Sequence, residues 1–340
     1  MSKVKKAAGA AAAGLAGWAA YSYAMMNRKV PSEEEARAYA ASLLIRVGMG
    51  DLYGTWEEEW LELGDRRLAL YHFRSQPGDP AMVFVPGTSV YALLYTEFMH
   101  KLSRQGFNVV GFDPRGHGMS SGKRGVYTLG QLAEDALAVI DHAIGTYGDR
   151  VAVSGSSQGG MVAFYCAAAE PRLKAAVCHN VIAPDEPDNE RMTRRPGMFK
   201  PLMPLLPAFR PLMDSPLGEL MIPVTLYLDL KAEPSRIIPD VMRFLKEDPL
   251  ALNAVSLRAL HSLPTTPMAR RVEEIAVPVM VVHAGRDNIF PEDYVRRVYD
   301  RLTCEKEFLY LEDKPHLVMT DYVDEIVPPI AAWLAKMMEG

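Results

Sequence analysis

The chain has 340 residues, 49% of them hydrophobic and 23% charged, and a formal net charge of -5. That balance excludes a disordered or polytopic membrane protein, and the length suits one large α/β domain with an insertion or two small domains. A net negative chain without a long Lys/Arg cluster has no electrostatic footprint for nucleic acid, and the three cysteines (Cys166, Cys178, Cys304) form neither a disulfide framework nor a CxxC metal pattern.

In chain order, "MSKVKK" supplies three lysines and residues 7–26 ("AAGAAAAGLAGWAAYSYAMM") carry no charge. At 1.5 Å per residue, about 20 residues of helix reach roughly 30 Å, the thickness of a hydrocarbon layer. Residues 1–30 are therefore an N-terminal apolar segment with three readings: a single membrane anchor, a cleaved signal peptide, or a helical arm packed on protein. The first makes the protein membrane-associated through residues 7–26; the others leave it cytoplasmic or exported. Alanine and glycine dominate the segment, with Leu15 as its strong insertion residue, so a span would depend on packing through small faces.

A polar, helix-like stretch follows ("PSEEEARAYAASLLIRVG"), and then residues 56–74 alternate apolar and polar around Gly64-Asp65, predicting a β-hairpin. Short apolar runs at 81–85, 107–112, 150–154, 174–178, 278–283 and 306–311 then alternate with helical patterns at 91–105, 129–147, 158–169, 291–303 and 321–338. This rhythm predicts an α/β fold: a mostly parallel, doubly wound sheet with the hairpin as its antiparallel edge. Residues 182–265 break it. They contain no clean strand, are rich in Pro, Met and Leu ("MFKPLMPLLPAFRPLM"), and give helical patterns at 235–246 and 249–263. They are expected to form a helical cap inserted between core segments 31–181 and 266–340, covering core surface and shaping an apolar pocket.

"VAVSGSSQGG" (151–160) runs an apolar strand into two serines and a helix-forming sequence. A nucleophile elbow crowds the positions two before and two after the nucleophile, which therefore need glycine. Ser157 has Gly155 and Gly159 there, whereas Ser156 has Ser154 and Gln158 and fails the pattern. A serine hydroxyl also needs a base to take its proton and an acid to orient that base. His316, in "EDKPHLVMTD" between the last strand and the final helix, is the expected base, with His117 in "DPRGHGMSSG" as rival. Asp287, in "VVHAGRDNIFP" after the 278–283 strand, is the expected acid, with Asp313 and Asp185 as alternatives. For the oxyanion, the amides of Gln158, at a helix N-terminus, and of Thr88, in "VPGTSVY", are the expected donors; Gly87 lets that loop approach closely.

Taken together, "GSSQG", "VPGTS", "GFDPRGHGMSSG", "HAGRDNIFP" and "KPH" resemble the elbow, oxyanion loop, following loop, acid loop and histidine loop of the α/β-hydrolase family. With the inserted cap, the chain is most similar to its monoacylglycerol lipase and lysophospholipase-like branch over about residues 80–335. That branch usually has His-Gly in the oxyanion loop; here Pro86 precedes Gly87, which bears on Thr88 as a donor. The resemblance implies a serine hydrolase that cleaves small carboxylic esters with an apolar acyl group through an acyl-enzyme on Ser157, with no metal or organic cofactor. Peptidase, thioesterase, C–C hydrolase or acyltransferase chemistry on the same triad is the alternative, and a non-catalytic binding protein on this fold is a further one. The oligomeric state is not legible in the sequence.

Overall fold

The structure, a computed structural model, describes residues 3–229 and 233–339; Met1, Ser2, residues 230–232 of the expected cap and Gly340 lie outside the described residues. Two helices precede the sheet, α1 (Lys3–Met26) and α2 (Glu33–Arg46). The second begins on a capping box in which Ser32 and Glu35 each bond the other's backbone N–H. β1 (Glu57–Leu63) and β2 (Arg66–Phe73) then pair antiparallel with Leu63 opposite Arg66, and the intervening Gly64 takes the positive φ of 68° that a two-residue turn requires.

The remaining core strands are β3 (Ala81–Val85), β4 (Asn108–Phe112), β5 (Val151–Ser156) and β6 (Ala175–His179), followed after an insertion by β9 (Val279–Ala284) and β10 (Lys306–Leu311). The sheet order is β1-β2-β4-β3-β5-β6-β9-β10. β2 runs antiparallel to β4, and every later neighbour pair is parallel. α3 (Thr96–Ser103), α4 (Leu129–Tyr147) and α5 (Gln158–Ala169) make the first crossovers, and helices Glu292–Arg301 and Val323–Met338 complete the layers. Because strand side chains alternate faces, Ala81, Val83 and Val85 of β3 join the core under α4 and α5, while Met82 and Phe84 join Phe98 and Ile330 on the other side. Both faces are apolar, which is why these strands read as continuous hydrophobic runs. The parallel strands β3, β4, β5, β6 and β9 thus form a fully buried platform for the loops at their ends, with β10 as its partly exposed edge.

Between β6 and β9 the chain leaves the sheet and forms short helical pieces, among them Lys200–Phe209, Val241–Glu247 and Leu257–Thr265. One difference from the sequence reading is a strand pair: β7 (Met221–Pro223) and β8 (Ala254–Ser256) align antiparallel with Met221 opposite Ser256. Three residues per strand are too few for a period of two to register, and the helical pattern at 249–263 begins in structure only at Leu257, where Ser256 caps the helix by accepting from the Ala259 amide.

Of the three readings of the N-terminal segment, the membrane span finds no support: no helix among the described residues is long and apolar enough to cross a membrane. The C-terminal half of α1 packs on the cap instead. Trp18 Nε1 donates to the Met221 carbonyl (2.8 Å), the Met221 amide donates to Ser22 Oγ (2.9 Å), and Arg28 donates to the carbonyls of Asp248 and Ala251. The free edge of β7 thus finds its hydrogen bonds in helix side chains.

Candidate active site

The turn from β5 into α5 places Ser157 at φ 56°, ψ -116°, a region that costs a side-chain-bearing residue about 1–3 kcal/mol and persists only where the surroundings impose it. They do so through backbone packing. A Cβ on Gly155 would lie 2.1 Å from the Gly159 carbonyl oxygen, and one on Gly159 would lie 2.1 Å from that of Val85. The Ser157 amide donates to the His179 carbonyl at 3.0 Å, tying the turn to β6. Ser156 is held differently: it is buried, with its Oγ 3.3 Å from His179 Nδ1. The glycine spacing therefore identifies the serine at the apex.

His316 follows β10 and Asp287 follows β9, and the tertiary fold joins them: His316 Nδ1 donates to Asp287 Oδ2 at 2.7 Å. The second carboxylate oxygen accepts the amides of Ile289 and Phe290, both at 2.8 Å, so the acid is fully engaged. His316 is 3% exposed and its ring stacks on Phe290. Burial by itself pulls the His316 imidazole down, but the charge of Asp287 and the bond between them overcome it and leave its pKa above the usual histidine value. Burial likewise pushes the Asp287 carboxyl up, and the charge and hydrogen bond of His316 with the Phe290 amide hold it far below the usual range. The pair is therefore an ionised carboxylate facing an imidazole that gains a proton readily at the other nitrogen.

The rivals are occupied elsewhere. His117 Nδ1 faces the Arg115 carbonyl at 3.0 Å, and burial pushes its pKa down to about 4. Asp185 is exposed and pairs with Arg301, and Asp313 is exposed and pairs with Arg286.

Three further residues around this pair carried no sequence signal strong enough to single them out. Asn180, at the end of β6 with φ 70°, donates through Nδ2 to Asp287 Oδ2 (2.9 Å), and its Oδ1 lies 2.7 Å from His283 Nδ1. A carboxylate accepts only, so the Asn180 amide must face it with its NH2, and His283 must carry its proton on Nδ1. Glu233, 2% exposed, reaches from the cap and accepts the amide of Asn288 through one oxygen and the amide of His316 through the other, both at 2.9 Å. The acid loop and the histidine loop are thereby fastened by one cap carboxylate. Asn180 has a positional clue, since it immediately follows a strand at the edge that carries Ser157; Glu233 has none.

Gly87, Thr88 and Ser89 line a cavity together with Ser157, Glu233 and His316. The Gly87 amide donates to the Tyr95 hydroxyl at 3.3 Å, while the amides of Thr88 and Gln158 have no hydrogen-bond partner among the described residues. Val90, Leu94, Val224, Leu228, Phe244 and Leu317 make the rest of this lining largely apolar. Its volume is about 80 Å³; a separate cavity of about 810 Å³ between cap and core, lined by both apolar and polar side chains, contains none of these residues.

Residues 76–322 match the sequence family described as "Serine aminopeptidase, S33". The chain is similar to the monoacylglycerol lipase of Mycolicibacterium smegmatis, at 27% identity over 292 residues that cover 80% of this chain and 96% of that protein. In fold it is similar to Paleococcus ferrophilus monoacylglycerol lipase, with a TM-score of 0.64 at 23% identity over 79% of this chain and 99% of that one. It is likewise similar to a soluble variant of the Saccharomyces cerevisiae monoglyceride lipase, with a TM-score of 0.66 at 17% identity over 83% and 96%. With the family match spanning most of its length and an α/β-hydrolase sheet beneath it, the chain belongs to the S33 serine aminopeptidase family of serine hydrolases.

Proposed function

We propose that the chain hydrolyses small carboxylic esters with an apolar acyl group, in the manner of a monoacylglycerol lipase, through an acyl-enzyme on Ser157. The observation that carries this is the meeting of Ser157, held left-handed at the elbow, with the His316–Asp287 pair at one cavity. Ser157 Oγ attacks the ester carbonyl while His316 Nε2 takes its proton, and Asp287 holds the imidazolium that forms. The oxyanion is received by the amides of Thr88 and Gln158, each worth about 3 kcal/mol of barrier, with the α5 N-terminus adding its dipole. The alkoxide then leaves with the proton from His316. Water, deprotonated by the same nitrogen, frees the acid.

The apolar lining supports an acyl chain over a charged substrate. Peptidase chemistry at a free N-terminus would need a carboxylate to meet the ammonium, and Glu233, the acid in the described lining, already accepts two amides. A volume of about 80 Å³ is well below the roughly 300–1,000 Å³ of ligand pockets, so the cap segments bearing Val224 and Phe244 move aside when substrate enters. We read α1 as an arm that braces the cap: a chain lacking residues 1–30 loses thermal stability, and a shift of full-length protein from membrane pellet to supernatant on this deletion would restore the anchor reading. The test of the chemistry is fluorophosphonate labelling and a panel of esters, thioesters and aminoacyl anilides. Labelling at Ser157 with turnover of apolar esters is expected; full esterase activity in Ser157→Ala would overturn the mechanism, and anilides turned over faster than esters would favour the peptidase.

A further inference from the structure

Three side chains that the hydrolytic chemistry does not use converge at the antiparallel edge of the sheet. The β1–β2 register sets Glu57 opposite His72 and Glu59 opposite Leu70, so Glu59 and His72 are diagonal neighbours on one face of the hairpin. Leu68 and Leu70 of that face pack in the core with Leu132, Ala136 and Val139 of α4, and His142 lies further along the same helix. Glu59 Oε2 is 2.9 Å from His72 Nε2, and Glu59 Oε1 is 3.2 Å from His142 Nε2. All three residues offer donor atoms within 4.8 Å of one another.

Hydrogen bonding does not account for this arrangement. Both Nε2 atoms are buried, and neither makes a hydrogen bond despite its short distance to the carboxylate, because the N–H direction does not meet the oxygen. Buried nitrogens without hydrogen-bond partners are uncommon, and here two lie beside one carboxylate. Meanwhile His72 Nδ1 lies 2.8 Å from the Tyr147 hydroxyl, which also accepts from Arg74 at 3.1 Å. The outer nitrogen is thus anchored and Nε2 is left facing inward, as at histidine metal sites whose second nitrogen is held by a neighbour.

We propose that Glu59, His72 and His142 form a binding site for a divalent transition-metal cation, zinc first among them. Two imidazole nitrogens and one carboxylate suit zinc, whereas magnesium and calcium take all-oxygen sets. Tetrahedral zinc with bonds of about 2.0–2.1 Å sets its donors roughly 3.3–3.5 Å apart, so the 3.2 Å contact already suits it and the 2.9 Å contact opens by roughly 0.4 Å on binding. Glu59 is partly exposed, so the fourth ligand would be a water from the solvent side. None of the three lines the Ser157 cavity, so the cation ties the hairpin edge to α4 and takes no part in ester cleavage. A ligand that binds the folded chain alone raises its stability in proportion to ligand excess over Kd.

The test uses the full chain, free of any affinity tag, stripped by a chelator and titrated with Zn²⁺ in a calorimeter and with Co²⁺ by visible absorption. One equivalent bound, intense tetrahedral cobalt bands and a melting temperature that rises with Zn²⁺ are expected. His142→Ala and Glu59→Ala, at partly exposed positions, lose all three while retaining esterase activity, which shows that they remain folded; Tyr147→Phe weakens binding about tenfold. His316→Ala keeps its equivalent, which separates this site from the His179, Asp287 and His316 cluster. Wild-type affinity no higher than that of His142→Ala, or zinc lost in His316→Ala but kept in His142→Ala, would overturn the proposal.

Discussion

Replacing Asp287 with asparagine removes one acceptor from a site where both oxygens are spoken for. If the asparagine oxygen takes the place of Oδ1, it keeps the amides of Ile289 and Phe290, and its NH2 then faces the Asn180 NH2 and His316 Nδ1. His316 must accept that donor at Nδ1, so its proton moves to Nε2 and the base can no longer take the proton of Ser157. Turned over, the NH2 confronts two backbone N–H groups, leaving buried donors unmatched at about 1–3 kcal/mol. The first arrangement is therefore favoured, and the expected loss is about 10⁴-fold in kcat, roughly 5.5 kcal/mol of barrier. Pre-steady-state acylation by an apolar p-nitrophenyl ester measures it directly, with the burst slowing by that factor and KM nearly unchanged. Retention of more than a tenth of the wild-type burst rate would mean that Asp287 does not orient the base.

The strained apex predicts that Ser157→Gly is inactive yet more stable than Ser157→Ala, since glycine adopts φ 56° freely while alanine keeps the Cβ. Central values of about 2 kcal/mol of relief less about 0.7 for the freer unfolded chain leave about 1.3, which for 340 residues is roughly 2 °C in calorimetry; equal melting temperatures would argue that the apex is unstrained. Glu233→Gln leaves one amide of Asn288 or His316 facing an NH2, so kcat falls about tenfold and the fold loses about 1–3 kcal/mol, read by initial rates and urea titration; wild-type values for both would show that the cap does not fasten the two loops. Because His316 must be neutral to act as base and its pKa lies above 6.5, kcat/KM rises with pH through a midpoint above that value, and this limb moves down in Glu233→Gln as a nearby negative charge is lost. By linkage, the raised His316 pKa contributes stability fully below the unfolded histidine value, and this is lost as pH rises through the folded pKa; urea midpoints across that window check the sign.

Inner strands were legible in the sequence because burial on both faces makes them uninterrupted apolar runs with sharp ends, as at 81–85; the patterns at 129–147, 158–169 and 306–311 also coincide with observed elements, although the last is a partly exposed edge strand. Gly155 and Gly159 pointed to Ser157 for an equally local reason, since a backbone turn with no room for a methyl group can be recognised from its own neighbours. The order of acid and histidine after successive strands likewise follows from chain topology. Contacts between segments distant in the chain had no such signature. That Glu233 fastens the Asn288 and His316 amides, that Asn180 bridges Asp287 and His283, that β7 meets β8 across some thirty residues of cap, and that α1 lies against Met221 all depend on which surfaces are brought together. A one-dimensional pattern records the burial and turns each residue imposes on its neighbours, while the pairing of buried polar groups is settled only when distant backbone amides and carboxylates must find partners in the folded chain.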